Sequence, residues 1–192
     1  MKAFLAEWTQ AMAGVKTLRV VFKQTKRLRI LRKPLVREGE TLLKGRRVLM
    51  ITRGKDGTPE TELLVTPNEA RLYHPRLKRL EVFPIAPGSA PPTPFPLFGS
   101  DLKDLPRRYR LRLEVHAEKG ERTLILIPRD PKSSLSETRM RFRGTRILRV
   151  SQKNRRGDRV VIDVTRFERN VKIERTLELK IAPGTKISRL GG

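Results

Sequence analysis

The chain has 192 residues, enough for one domain with a sizeable apolar core. Its 44 lysine and arginine residues against 20 acidic residues give a formal net charge of +24, a field that attracts anionic polymers and anionic membrane surfaces but does not determine the fold. There are no cysteines, which excludes disulfides, thiolate metal sites and cysteine nucleophiles. No run approaches the roughly 18 consecutive apolar residues of a membrane-spanning helix.

Residues 3–16 are predicted to form a short amphipathic helix. Phe4, Trp8 and Met12 recur at helical spacing, whereas Glu7 lies on another face. Polar residues interrupt this stretch too early for a usable signal peptide. We therefore expect either a cytosolic protein or a mature domain whose export signal has been removed.

From residue 18 the hydrophobic period changes to two, which predicts one long strand over 18–30 with a cationic outer face. Pro34 ends this strand. The apolar face of the predicted strand contains Leu18, Val20, Phe22, Leu28 and Ile30.

Residues 40–53 are predicted as a second long strand, followed by short strands at 60–65 and 70–73 with turn residues between them. Because side chains alternate along a strand, this register puts two cations on the same face as three apolar side chains. Cations are costly to bury in a solid core, so the mixture favours a wall that lines a cavity. The residues of this face are Leu42, Lys44, Arg46, Val48 and Met50.

The segment that follows a short strand at 80–83 is proline-rich over 84–96 and continues directly into Leu97-Phe98-Gly99. It contains apolar residues that are unfavourable in water: Phe95, Leu97 and Phe98. We interpret it as a loop with a helical turn capped by Thr93, which could serve as a lid or as an ordinary packing loop. A disordered linker is the simpler alternative.

The second half consists of alternating strand patterns separated by turns. Together with one helix in front, these strands predict a mainly β fold, an open and strongly curved antiparallel half-barrel covered by short helices and a loop lid. The predicted strands are 109–115, 122–128, 139–143, 146–152, 159–167 and a last apolar face over 171–181.

Enzymatic chemistry is not expected. His74 and His116 are far apart in sequence and have no nucleophile signature nearby. The glycine-containing stretch 54–58 joins two strands and lacks the spacing of a phosphate loop. No calcium loop or zinc spacing occurs, so we expect neither a catalytic site nor a metal or other cofactor.

A basic nucleic-acid-binding β domain is an alternative, because arginine-rich strand faces could contact phosphates. Against it, only 5% of residues are aromatic, and most lie on the apolar side of their strands rather than among the cations. The positive charge is also spread over nearly every strand rather than gathered in one patch.

The order of these features resembles the LolA-type family of periplasmic outer-membrane lipoprotein carriers over almost the whole chain. No single motif is specific, but the ordered set is. It comprises the helix with Leu5, Trp8 and Met12, then Val20-x-Phe22-x-Gln24, Pro34-Leu35, Gly39, 44–50, Leu64-Val65, Asn68-Glu69, Tyr73-x-Pro75, Thr93-Pro94-Phe95-x-Leu97, Tyr109, Leu124-x-Leu126-x-Pro128 and Pro183-Gly184-Thr185.

The resemblance implies one domain over 1–192, with lid elements at about 3–16 and 84–105 and a hydrophobic cavity for the acyl chains of lipoproteins or another lipid. It further implies a periplasmic, non-enzymatic carrier that receives cargo from an inner-membrane lipoprotein-releasing transporter and delivers it to an outer-membrane acceptor. We expect a monomer, with an anionic membrane surface as a further candidate partner. A lipid-sensing regulatory module of the same fold is a third hypothesis.

In this family a basic residue that opens the second long strand latches the helical lid. The matching position is Lys44 or, if the register slips, Arg46. A lysine lacks the planar fork of arginine, which would loosen a latch with several hydrogen bonds. The predicted cavity lining is Trp8, Met12, Val20, Phe22, Leu42, Val48, Met50, Phe95, Leu97, Phe98, Leu111, Leu113, Met140 and Phe142.

Overall fold

Strands make up more than half of the described residues, and one helix precedes them. The computed structural model describes residues 1–85 and 105–190. In chain order the elements are α1 (Lys2–Ala13), β1 (Thr17–Arg27), β2 (Leu35–Lys44), β3 (Arg47–Arg53), β4 (Pro59–Val65), β5 (Glu69–His74), β6 (Arg79–Pro84), α2 (Leu105–Arg108), β7 (Tyr109–His116), β8 (Glu121–Pro128), β9 (Leu135–Arg143), β10 (Arg146–Asn154), β11 (Arg159–Arg169) and β12 (Lys186–Arg189).

These strands form one sheet in the order β12-β6-β5-β4-β3-β2-β1-β11-β10-β9-β8-β7. Strands β12 and β7 lie at its two ends, so the sheet is not closed. The pair β12–β6 is parallel, whereas hairpins such as β3–β4 and β8–β9 are antiparallel. The predicted fold class, a mainly β open barrel behind an N-terminal helix, is confirmed. Within the described residues no helix is long and apolar enough to cross a membrane.

The chain divides into two compact units, each built from discontinuous segments. The expectation of a single domain stays a prediction. Unit 1 contains Met1–Val15, Phe22–Val36 and Asp101–Phe167, and unit 2 contains Lys16–Val21, Arg37–Ser100 and Glu168–Gly192.

In unit 1 the helix α1 packs on β9 through its two buried aromatic residues, Phe4 and Trp8. Both rings meet the ring of Phe142 edge to face, with centroids 5.0 Å and 5.4 Å away. The helical spacing of four residues places the two rings on the same face, which explains why this stretch folds as a helix against the sheet. The predicted helix is confirmed, although it ends at Ala13, before Gly14.

In unit 2 the predicted strand over 40–53 is wrong, because the chain reverses at Gly45-Arg46. Gly45 has φ +60°, a conformation that favours glycine and is typical of the first residue of a tight two-residue hairpin turn. Lys44 therefore pairs with Arg47, and Leu42 pairs with Leu49. The reversal changes which residues share a face.

The predicted last strand over 171–181 is also wrong, since this segment has no regular secondary structure. Its apolar residues nevertheless pack on the sheet of unit 2. Leu177 is 2% exposed within the cluster of Leu42, Leu49, Ile51 and Leu64, which Ile173 and Leu179 border. The amide of Ala182 donates a 3.1 Å hydrogen bond to the hydroxyl of Tyr73.

Strand β1 ends at Arg27, earlier than predicted, because residues 28–31 form a turn closed by a 3.0 Å hydrogen bond from the amide of Leu31 to the carbonyl of Leu28. The expectation that Ile30 lies on the apolar face is wrong, since its side chain is 89% exposed.

The remaining predicted strands are present, with ends shifted by a few residues. Thr93, Phe95, Leu97 and Phe98 lie outside the described residues.

Candidate functional site

Strands β8 and β9 present a continuous apolar face in unit 1. The antiparallel register places Met140 opposite Leu124. Leu124, Leu126, Met140 and Phe142 are each 0% exposed. Because strand side chains alternate, the arginines of β9 lie on the opposite face of the sheet. The apolar face and the cationic face are thus separated by the strands themselves.

The N-terminal helix covers this apolar face. Trp8 is 1% exposed and Phe4 2% exposed, and both rings contact Phe142. Burial of two aromatic side chains contributes the main attraction between α1 and the sheet, of the order of 2–3 kcal/mol for each ring.

An ion pair at the rim joins α1 to β8. Arg122 donates hydrogen bonds of 2.6 and 2.9 Å to the two carboxylate oxygens of Glu7. Its guanidinium carbon also lies 4.8 Å from the centroid of the Phe4 ring. The hydrogen bond from Arg122 lowers the pKa of Glu7, and the same bond raises the pKa of Arg122. The pair holds α1 at the edge of the apolar face.

Sequence reasoning missed this pair. One signal was available, since Arg122 occupies a position with the same parity as Leu124 and Leu126 in an otherwise apolar row. A cation at such a position needs a carboxylate close to the apolar face, and Glu7 on the predicted helix is such a residue.

The helix itself has weak ends. Met1 precedes it without a side-chain capping hydrogen bond, and neither acidic residues in the first turn nor basic residues in the last turn complement its dipole. A helix of 12 residues is marginal in water, so α1 owes its order to its contacts with the sheet.

In unit 1 several of the predicted lining residues lie on or against the same face. Leu111 and Leu113 of β7 pair with Leu126 and Leu124, so they share the apolar face. Among these predicted residues Trp8, Phe22, Met140 and Phe142 are buried, whereas Met12, Leu111 and Leu113 are half-buried.

In unit 2 the predicted set is divided between two faces. Val48 lies in a cluster with Val65 and Ala70, bordered by Leu43 and other half-buried apolar residues. Met50 has the parity of Val48 along β3 and is 8% exposed. Leu42 lies on the opposite face, in the cluster beneath residues 171–181, which we call the C-terminal segment. The prediction that Leu42 shares a face with Val48 and Met50 is therefore wrong. Val20, also predicted as lining, is fully buried.

The two latch candidates differ in their surroundings. Lys44 ends β2, and its Nζ donates a 3.0 Å hydrogen bond to the carbonyl of Ile173 in the C-terminal segment. Arg46 lies in the turn and is exposed. The predicted common face of these cations with Met50 is wrong for the same reason as for Leu42, the reversal at Gly45.

Arg47, which the sequence interpretation did not single out, opens β3 and contacts the same segment. It donates a 3.5 Å hydrogen bond to the carbonyl of Leu177 and forms a 3.6 Å ion pair with Glu178. Lys44 and Arg47 face each other across the hairpin. Both cations thus hold the segment that covers Leu42.

A hollow of about 520 Å³ lies beside the Lys44 contact. Its lining combines charged and apolar side chains, which include Glu40, Arg175 and Ile173. Glu40 forms ion pairs with Arg19 and Arg53, both at 3.4 Å. Such a charged lining does not suit an acyl chain.

Among the described residues, neither histidine belongs to a group that could hold a metal ion. His116 lies 3.1 Å from the hydroxyl of Thr123 through its Nε2. Throughout residues 1–85 and 105–190, no three histidine or acidic side chains are grouped closely enough to hold a metal ion.

Residues 13–177 match the protein family described as outer membrane lipoprotein carrier protein LolA. The chain belongs to the LolA family. The match spans the last residue of α1 to Leu177, so it includes the apolar face of β8 and β9 and the carbonyls that Lys44 and Arg47 contact, whereas Phe4, Trp8 and Glu178 lie outside it. A search of curated proteins gave no significant match.

Solved structures with the same fold cover nearly the whole LolA-family chain. An uncharacterised conserved protein from Thermus thermophilus is 13% identical, with 98% of each chain covered and a TM-score of 0.58. A domain described as an outer membrane lipoprotein-sorting protein from Vibrio parahaemolyticus is 16% identical over 90% of this chain and 93% of that chain, with a TM-score of 0.51. A DUF1329 family protein from Desulfovibrio piger is 16% identical over 90% and 94%, with a TM-score of 0.50. At these identities the likeness concerns the fold alone.

Proposed function

We propose that this LolA-family protein is a non-enzymatic carrier that binds the acyl chains of lipoproteins, or of a related lipid, on the apolar face of β8 and β9. The bound chains replace the aromatic residues of α1, which act as the lid of the site. The observation that carries the proposal is the packing of Phe4 and Trp8 on Phe142 by a helix that has little stability of its own.

Acyl chains would exchange one apolar cover of this face for another. Displacing α1 exposes the rings of Phe4, Trp8 and Phe142, which is unfavourable in water. Acyl chains on the same face restore most of the lost apolar contact, since burial stabilises by about 0.8 kcal/mol for each methylene group. The net cost of opening is then small, and a weakly capped helix adds little to it.

The Glu7–Arg122 pair sets the resting position of the lid. It lies at the rim, where Arg122 retains 25% of its side-chain exposure and Glu7 45%. A partly solvated pair contributes little to stability and re-forms easily, which suits a reversible closure better than a permanent one.

In the cell we propose a periplasmic location, an inner-membrane lipoprotein-releasing transporter as donor and an outer-membrane acceptor. The family description, an outer membrane lipoprotein carrier, supports the outer-membrane acceptor. Lys44 and Arg47 bind the C-terminal segment, so a latch role for Lys44 would act on that segment. A lid role for residues 84–105 also stays a proposal.

The test is binding of acyl chains by gently purified protein. Native mass spectrometry with lipid extraction should detect bound lipid, and palmitate should displace a hydrophobic fluorescent probe. Trp8 is the only tryptophan, so its emission reports on the lid directly and should shift to longer wavelength when palmitate binds. Absence of lipid, of probe displacement and of any Trp8 response would overturn the proposal.

A matched pair of variants locates the site. Met140→Lys places a cation on the apolar face and should abolish palmitate binding, whereas Arg139→Lys changes only the opposite face and should leave it intact. Equal binding by both variants would exclude this face. Transfer of a radiolabelled lipoprotein to outer-membrane vesicles then distinguishes a carrier from a sensor, which would retain its cargo and change its affinity for a soluble protein.

A further inference from the structure

The connection between β1 and β2 combines exposed aliphatic side chains with an uninterrupted run of positive charge. Residues 26–37 contain six lysine or arginine residues and no acidic residue. Within this stretch Ile30 is 89% exposed and Leu31 40% exposed, and Leu35 and Val36 are each 37% exposed. Folding leaves these aliphatic groups in water, so neither the core nor the apolar site accounts for them.

The connection is held in place by the turn between β10 and β11. The amide of Arg29 donates a 2.9 Å hydrogen bond to Oδ1 of Asp158, and its guanidinium donates a 3.2 Å bond to the carbonyl of Arg156. Asp158 is itself fixed by a 2.9 Å hydrogen bond from Nδ2 of Asn154. The bond from Arg29 is the first cause of the lowered pKa of Asp158, which is therefore ionised at neutral pH.

This attachment determines what the connection presents. The side chain of Arg29 lies over Gly157, where its Cδ would be 3.1 Å from a Cβ at that position, and the next residue, Ile30, projects into solvent. Arg155 and Arg156 of the adjoining turn are exposed and add two cations beside it. The result is a fixed aliphatic tip surrounded by cations.

We infer that this tip, Ile30 and Leu31 with the surrounding Arg27, Arg32 and Lys33, docks the protein on an anionic phospholipid bilayer. The two aliphatic side chains enter the boundary between headgroups and acyl chains, and the cations bind the lipid phosphates. Interfacial binding needs this combination, since apolar burial and attraction to anionic lipids add to each other. Nucleic acid would account for the cations alone and would leave Ile30 in water.

A second exposed leucine provides a matched control. Leu77 is 71% exposed and also lies among cations, Arg76, Lys78 and Arg79. There, however, two of the three cations are neutralised, since Arg76 is paired with Asp56 and Arg79 with Glu81. In the described part of the chain no carboxylate pairs with Arg32 or Lys33 in this way. The proposal therefore predicts that Ile30, and not Leu77, meets the bilayer.

The inference goes beyond the proposed carriage of acyl chains, because the tip is separate from the face of β8 and β9. Cosedimentation should show the protein on vesicles of 70% phosphatidylcholine and 30% phosphatidylglycerol in physiological salt, with at least tenfold weaker binding to pure phosphatidylcholine. The double variant Ile30→Ser with Leu31→Ser should bind the anionic vesicles at least tenfold more weakly, whereas Leu77→Ser should bind as the unchanged protein does. Arg32→Gln with Lys33→Gln should also weaken binding.

Vesicle binding that survives Ile30→Ser with Leu31→Ser, or that is equal on neutral and anionic vesicles, would overturn the inference. So would complete release of the protein by duplex DNA at equimolar phosphate, since that result would indicate a nucleic-acid surface.

Because the chain has no cysteine, Ile30→Cys can carry an environment-sensitive nitrobenzoxadiazole label without competing sites. Its emission should shift to shorter wavelength on anionic vesicles, and the same label on Leu77→Cys should not. An unshifted label at position 30 would exclude insertion whatever the folding of the serine variants. Palmitate binding measured in parallel keeps this result distinct from the outcome for the carrier.

Discussion

Arg122 holds both carboxylate oxygens of Glu7, at 2.6 and 2.9 Å, and thereby joins the N-terminal helix to the sheet at the edge of a fully buried aromatic cluster. The pair connects residues 115 positions apart in the chain. It is polar and partly solvated, whereas the contact of Trp8 with Phe142 beside it is apolar and buried. The two contacts respond to different changes, which makes them separately testable.

Glu7→Gln should loosen the helix while leaving the sheet folded. The change removes the carboxylate charge and replaces one of the two acceptor oxygens by an amide NH2, so Arg122 keeps at most one of its hydrogen bonds, and that bond is weaker than one to a carboxylate. Acrylamide should quench Trp8 more effectively in the variant. Glu118→Gln makes the same change at an exposed position and should leave quenching unaltered. Equal quenching in all three proteins would show that the pair does not hold the helix.

The same pair should make helix docking sensitive to acid. The pKa of Glu7 is lowered from 4.5 in the folded state, so its contribution to stability is fully present above pH 4.5 and is lost as the pH falls through the lowered value. Trp8 emission should therefore report release of the helix in acid, with a transition that Glu7→Gln removes. Other carboxylates with lowered pKa values titrate in the same range, and the difference between the two proteins isolates Glu7. A transition that persists unchanged in Glu7→Gln would contradict this assignment.

Phe142→Ala should destabilise the protein by about 3–5 kcal/mol, because it removes a buried ring that both Phe4 and Trp8 contact. Urea unfolding followed by circular dichroism measures the loss. Ile127→Ala, at a residue that is 38% exposed, should cost less than about 1 kcal/mol. A small cost for Phe142→Ala would mean that the helix withdraws without loss of the fold, and an accompanying rise in Trp8 exposure would identify that case.

Lys44→Met should increase hydrogen exchange in residues 171–179. The variant removes the hydrogen bond to the carbonyl of Ile173, an exposed contact that contributes about 0.5–1 kcal/mol, which corresponds to a few-fold faster exchange. Arg46→Met is the matched control, since Arg46 lies in the turn beside Lys44. It should leave exchange unchanged. If both variants, or neither, alter exchange in this segment, the contact has no specific role.

Leu177→Ala should detach the C-terminal segment from unit 2. Leu177 is 2% exposed among Leu42, Leu49, Ile51 and Leu64, and loss of a buried leucine side chain costs about 2–4 kcal/mol. Limited trypsin digestion should cut the variant faster at Lys172 and Arg175. Ile181→Ala removes an aliphatic group that is 39% exposed and should be cut at the original rate. Unchanged cleavage of Leu177→Ala would mean that the segment is held mainly by its polar contacts.

Periodicity alone determined the order and type of most elements. The spacing of Phe4 and Trp8 predicts the helix, and the alternation over 139–143 predicts a strand with one apolar and one cationic face, because side-chain direction follows from local backbone geometry. The family resemblance rests on the order of such local features, and the match of residues 13–177 confirms it. The inner face of β9 could thus be assigned before its neighbours were known.

The faces of the hairpin at 40–53 were decided by a reversal that periodicity does not detect. A two-residue turn at Gly45 separates Leu42 from Val48 and Met50, and period-two counting across it assigns them to one face. Likewise, the row from Leu18 to Ile30 continues in sequence, whereas the turn at residues 28–31 ends the strand and leaves Ile30 in solvent.

The polar partners of the site depended wholly on the tertiary structure. Glu7 meets Arg122, and Lys44 meets the carbonyl of Ile173, across 115 and 129 residues of chain. Such contacts have no local signature, because either side chain would be equally acceptable as a solvated surface residue. The residues capable of covering an apolar face were determined by the sequence. Which cation holds which segment was decided only when packing brought distant parts of the chain within hydrogen-bonding distance.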